Sequence, residues 1–151
     1  MNEEPERWMR LALAQAEIAM GLGEVPVGAV AVRNGEVIGL GFNRKESDQD
    51  PTAHAEMIAL RAAAARLENW RLIDVTLYCT LEPCPMCAGA ALNSRIGEIV
   101  FGAWDSEMGS CGSRTDVTDG RLPRRAKTMG GVLEEDCQRL LRDFFREKRG
   151  K

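Results

Sequence analysis

Two apolar runs flanking a short helix-forming stretch constrain this chain more than any other feature. Val75-Thr76-Leu77-Tyr78-Cys79-Thr80 reads as a buried strand, Cys84 to Asn93 as a helix, and Ile99-Val100-Phe101 as another strand. That is a strand-helix-strand crossover, the connection used between parallel neighbours. Upstream, Gly28-Ala29-Val30-Ala31-Val32 and Val37-Ile38-Gly39-Leu40 flank Arg33-Asn34-Gly35-Glu36, and the Asn-Gly pair suits a tight antiparallel hairpin. Trp8, Leu11, Ala12, Ile18 and Ala19 recur at helical spacing from Glu6 to Met20, with Pro5 suited to a first turn.

The segment from His54 through Leu67 is rich in Ala, Leu, Met and Glu and follows Asp50-Pro51-Thr52, which offers capping side chains, so His54 is expected in a first helical turn. Residues 103–131 are dense in Gly, Asp, Ser and Thr without a clean period, and Leu133 to Lys148 reads as a final amphipathic helix. This order implies an α/β fold, a mixed sheet covered by helices on both faces. One domain spanning residues 1–151 is expected, with no repeat or linker. In such sheets ligands sit beyond strand ends, near helix starts.

The longest apolar run is far too short to cross a membrane, and the acidic start Met1-Asn2-Glu3-Glu4-Pro5-Glu6 does not resemble a secretory signal, so a cytoplasmic chain with reduced thiols is expected. Five cysteines in a reducing compartment are poor material for a disulfide framework. Cys84 and Cys87 then read as metal ligands or a redox pair, whereas Cys79 and Cys137 suit small core positions. The net charge of −3 hides an asymmetry, since residues 121–151 hold 10 basic and 5 acidic side chains. Such a basic third can attract phosphates, or it can be a solvated helix end.

His54 is the only histidine, and with Cys84 and Cys87 it offers one nitrogen and two sulfurs. Zinc accepts this ligand set, and three protein ligands leave a fourth position open, the mark of a catalytic site. Zinc lowers the pKa of bound water to about 7. Glu56, two residues past His54, can take that proton and return it to a substrate atom, which makes it the expected general acid/base. Three plainer readings compete: a redox Cys-x-x-Cys, a closed structural zinc site with Cys111 as fourth ligand, and ordinary helix-start roles for His54 and Glu56.

His54-Ala55-Glu56 followed by Pro83-Cys84-Pro85-Met86-Cys87 resembles the signature of the zinc-dependent cytidine and nucleobase deaminases. Gly23 to Ala29, Asp50 to Glu56, Thr80 to Cys84, Cys87 to Ala90, Ser94-Arg95-Ile96, Phe101-Gly102-Ala103 and Phe144-Phe145 narrow the likeness to the bacterial tRNA adenosine deaminases, over nearly the whole chain. The resemblance implies a three-layer α/β/α, cytidine deaminase-like fold with about five strands, one Zn2+ per subunit and a cytoplasmic homodimer. It also implies hydrolytic conversion of the wobble adenosine in a tRNA anticodon loop to inosine. Asn43 would hold the base, with Val27, Ala53, Glu82 and Asp105 as further substrate-binding positions and Arg124, Arg125, Arg146 and Arg149 as phosphate partners. Two places depart from the family pattern: a shortened stretch with Leu122-Pro123-Arg124-Arg125, and Trp104 before Asp105. They keep open a deaminase for a free nucleobase or nucleoside of the guanine or cytosine type, beside a non-catalytic zinc- or RNA-binding module.

Overall fold

The computed structural model describes residues 3–149. The elements run α1 (Glu3–Gly21), β1 (Gly28–Arg33), β2 (Glu36–Phe42), α2 (Ala55–Leu67), β3 (Val75–Leu81), α3 (Pro85–Asn93), β4 (Glu98–Ala103), β5 (Lys127–Met129) and α4 (Glu134–Arg149). One sheet orders them β2-β1-β3-β4-β5. β1 pairs antiparallel with β2 and β3, while β3–β4 and β4–β5 are parallel, giving the expected mixed sheet. Asn34 and Gly35 both take positive φ, 52° and 73°, the turn that an Asn-Gly hairpin requires.

Alternation along the strands builds a core on each side. Val30, Val32, Tyr78 and Val100 pack with Trp8, Met9 and Ala12 of α1 and Cys137 of α4. Ala29, Ala31, Leu77, Cys79, Ile99 and Phe101 face Ala55, Ala59, Leu60 and Ala63 of α2 and Ala88 and Ala91 of α3. The period of two places successive residues on opposite faces, and both faces are covered by helices. Cys79 and Cys137 are buried core residues, and so is Cys111.

Several local expectations need correction. β5 lies in the stretch without periodicity: three exposed residues carry no alternation to read. Leu11 and Ile18 are exposed, and the buried stripe of α1 is Trp8, Met9, Ala12, Ala16 and Ala19. His54 and Cys84 stand just outside α2 and α3 as extended N-cap residues, with φ/ψ of −78°/152° and −76°/174°. Asp50 does not cap α2; its Oδ1 accepts from the Thr52 amide and hydroxyl, both at 2.8 Å.

α2 lies on β2 at backbone contact distance. A Cβ on Gly41 would stand 2.2 Å from the Ala55 oxygen, and one on Gly39 2.4 Å from the Ala59 oxygen. These two glycines therefore set how close the start of α2 comes to the sheet. Gly41→Ala is expected to lower unfolding stability by about 1–3 kcal/mol through overpacking. Gly21→Ala, which meets nothing within 4 Å, should stay within about 0.5 kcal/mol of the parent, both read from urea unfolding midpoints.

Candidate active site and metal centre

Three chain segments meet beyond the C-terminal ends of β3 and β4. The crossover brings the start of α3 there, the close packing on β2 brings the start of α2, and the segment leading into β1 supplies Val25 and Val27. A cavity of about 390 Å³ opens between them, within the usual range for small-molecule sites. Val25, Val27, Asn43, Lys45, His54, Glu56, Glu82, Cys84, Asp105 and Met108 are among the residues that line it.

At its floor the Nδ1 of His54 lies 3.6 Å from the Cys84 sulfur and 3.5 Å from the Cys87 sulfur. The three ligand atoms lie within 4.8 Å of one another. Zn–S bonds of about 2.3 Å and a Zn–N bond of about 2.0 Å at tetrahedral angles require N···S separations of about 3.5 Å, so the donor set fits zinc. Neither N-cap side chain makes a capping hydrogen bond, which leaves both free to converge. Cys87 sits three residues after Cys84 on the same helix face. Cys111 is not part of the cluster; burial pushes its thiol up to about 12, keeping it protonated.

The electrostatics follow from crowding. The Cys84 thiol is pulled down to about 4, first by its hydrogen bond with Cys87 and then by His54. Cys87 is pushed up, first by that same bond and then by burial. His54 is raised, chiefly through Cys84. The three ligand atoms share their protons as a coupled cluster, and a divalent cation bound there would displace those protons. The N-termini of α2 and α3 point at the same place and favour negative charge. Glu56, 4% exposed, is in the first turn of α2. Burial lifts its carboxyl to about 7, opposed by its own backbone amide and by His54.

Two other carboxylates are buried still more deeply, and both hold cavity walls. Glu24, 1% exposed, accepts from the amides of Glu46 at 3.1 Å and Ser47 at 2.5 Å, which ties down the loop after β2. Asn43 at the head of that loop donates from Nδ2 to the Val25 oxygen at 3.3 Å and accepts from the Lys45 amide at 3.1 Å. Glu82, also 1% exposed, receives its donors from the loop after β4.

Of the residues singled out from sequence, His54, Glu56, Cys84, Val27, Asn43, Glu82 and Asp105 surround the cavity, with Cys87 buried behind it. Ala53 is buried and does not line it; its oxygen accepts from the Arg44 amide at 2.9 Å. Arg124, Arg125 and Arg146 do not line the cavity. Arg125 borders a cleft with Gly97 and Lys127, at the N-terminal ends of β4 and β5, and exposed Arg124 precedes it. These two are at the opposite end of the parallel strands from the cavity. Arg146 is exposed on α4, 3.9 Å from Asp143, and the side chain of Arg149 is outside the described residues. Sequence reading missed Lys45, Met108 and Val25. Lys45 follows Asn43 by two, which was a usable signal; Met108 lies in an aperiodic loop that offered none.

The family model for the cytidine and deoxycytidylate deaminase zinc-binding region matches residues 2–103. A tRNA-specific adenosine deaminase of Haemophilus influenzae is 48% identical over 98% of this chain and 87% of its own length. The Bacillus subtilis protein of the same name is 46% identical over 98% of this chain and 92% of its own. A structure from work on A-to-I editing by tRNA:A34 deaminases at the wobble position superposes with a TM-score of 0.83 at 37% identity, covering 89% of this chain and 99% of that one. A guanine deaminase from Nitrosomonas europaea reaches 0.82 at 27% identity, covering 93% and 84%.

Two outcomes follow from this geometry. Cys84→Ser and Cys87→Ser are each expected to lose the bound zinc, from about one ion per chain to a small fraction, while Cys111→Ser keeps it, as read by metal analysis of purified protein. The second concerns Glu24, whose carboxyl lies below its ordinary range: burial alone would raise it, but the hydrogen bonds from Ser47 and the Glu46 backbone outweigh burial. A depressed carboxyl stabilises the fold above its unfolded pKa, about 4.3, and that contribution is lost as pH falls through the folded value. Glu24→Gln should cost about 1–3 kcal/mol at pH 7 and at pH 5, with the gap narrowing below about pH 4, measured by urea unfolding.

Proposed function

The chain belongs to the zinc-dependent cytidine and deoxycytidylate deaminase family, and from that premise we propose that it hydrolyses the wobble adenosine of a tRNA anticodon loop to inosine. The observation that carries this reading is the joining of the zinc-fitting triad and buried Glu56 in one base-sized cavity, in a chain whose near full-length relatives are tRNA-specific adenosine deaminases.

Zinc held by His54, Cys84 and Cys87 supplies Lewis acidity that makes water nucleophilic at neutral pH. Glu56 accepts a proton from the attacking water at its carboxylate and returns it to the departing nitrogen, so that adenosine and water become inosine and ammonia. Asn43, its side chain braced by Val25 and Lys45, holds the edge of a base extruded from the loop. Val27 packs against the base, the Ala53-His54 backbone supports that wall, and Asp105 and Glu82 complete the opposite one. Lys45 stands at the cavity for a neighbouring phosphate, while Arg124, Arg125, Arg146 and Arg149 engage more distant ones, an attraction that weakens with salt.

The whole chain acts as one catalytic unit, working as a cytoplasmic homodimer. No described helix is long and apolar enough to cross a membrane. The outer face of α3, where a Cβ added at mid-helix Gly89 would meet nothing within 4 Å, is open to a second copy. A glycine there costs helix stability but permits close approach.

Hydrolysis of a free purine is the second reading, favoured by the guanine deaminase likeness and the shortened stretch at residues 117–125. One assay separates the two: zinc-loaded protein is incubated with an anticodon stem-loop bearing wobble adenosine, or with guanine, and products are quantified by mass spectrometry. Inosine in the stem-loop is the expected result; guanine turnover without it overturns the reading. Glu56→Ala should reduce inosine formation by about 10²–10⁴-fold with zinc retained.

A further inference from the structure

The loop that closes the cavity on the side of Asp105 and Met108 hangs from one buried carboxylate. Glu82 Oε1 accepts from the Asp105 amide at 3.0 Å and from the Ser113 hydroxyl. Its Oε2 accepts from the amides of Cys111 and Ser113, each at 3.0 Å. Entry and exit of a nine-residue loop are thus gathered on one side chain, with no arginine or lysine of the described residues among its hydrogen-bond partners. Gly109 allows the arrangement, since a Cβ there would stand 2.4 Å from the Glu82 carboxylate.

The tether reaches the cavity in two steps. Glu82 holds the backbone of Asp105, and the Asp105 carboxylate accepts from the amides of Glu107 at 3.0 Å and Met108 at 3.3 Å. Both Asp105 and Met108 line the cavity. The loop is also fastened to the segment between β3 and the first cysteine of the triad, where the Ser110 amide donates to the Pro83 oxygen at 2.9 Å.

We propose that Glu82 is a positioning residue: all four hydrogen bonds of its carboxylate are to this loop, and it acts on substrate affinity by holding Asp105 and Met108 as a closed wall. An aspartate would be too short to gather both ends. A glutamine would be isosteric but would turn an NH2 group toward N–H and O–H donors whichever way it was flipped. The inference builds on the deaminase reading, because affinity is measured for the stem-loop substrate.

The test compares zinc-loaded parent, Glu82→Gln and Ser113→Ala proteins by steady-state kinetics on the adenosine stem-loop and by amide hydrogen exchange. Glu82→Gln is expected to keep zinc, to raise KM about tenfold with kcat within about threefold, and to speed exchange across residues 105–113. Ser113→Ala should shift both readouts the same way but less, and serves in place of Glu82→Gln if that chain does not fold. Unchanged loop exchange and KM in the folded variants would overturn the proposal, as would a fall in kcat alone. If the parent protein makes no inosine, the tRNA reading fails, and loop exchange still decides the role of Glu82.

Discussion

The rest of the site depends on how closely α2 lies against the sheet. Glycines at 39 and 41 let the helix backbone touch β2, so the first turn of α2 ends up beside the C-terminal end of β3. From there His54 meets the sulfurs of α3, which the crossover delivers independently. Donor atoms that must agree to within a few tenths of an ångström are thus carried by main-chain contacts between stiff elements, not by loops.

Three buried glutamates show how environment separates structural from chemical work. Glu24 and Glu82 both receive backbone amides from neighbouring loops, so their charge is spent in orienting those loops. Glu56 is buried beside the ligand cluster at a helix start, where burial itself raises its affinity for a proton. A carboxylate saturated by fixed donors holds geometry, whereas one set against a metal site and a cavity is available for proton transfer.

Much of the fold was legible. The hairpin at Asn34-Gly35, the two inner strands of the crossover and the helices on either side of the triad all followed from periodicity and turn chemistry. β5 was not, because three exposed residues contain no pattern, and the parallel partner that pulls them into the sheet lies some thirty positions away. The stripe of α1 was assigned partly to the wrong residues, since apolar Leu11 and Ile18 face outward. The caps of α2 were also misjudged: Asp50 closes a turn on Thr52, a local alternative that short polar side chains often take.

Within the site, the sequence by itself determined the three metal-fitting donor atoms and the buried carboxylate beside them. His54-Ala55-Glu56 and Cys84-Pro85-Met86-Cys87 owe their chemistry to residue type, and their internal spacing to helical geometry that acts over one turn. Only the tertiary structure decided which walls enclose the cavity. It brought Lys45 and Met108 to the cavity, left Arg124 and Arg125 at the far end of the strands, and assigned Glu82 to the loop above it. Those outcomes depend on strand register and on hydrogen bonds between segments more than twenty residues apart, where no local periodicity connects one partner to the other.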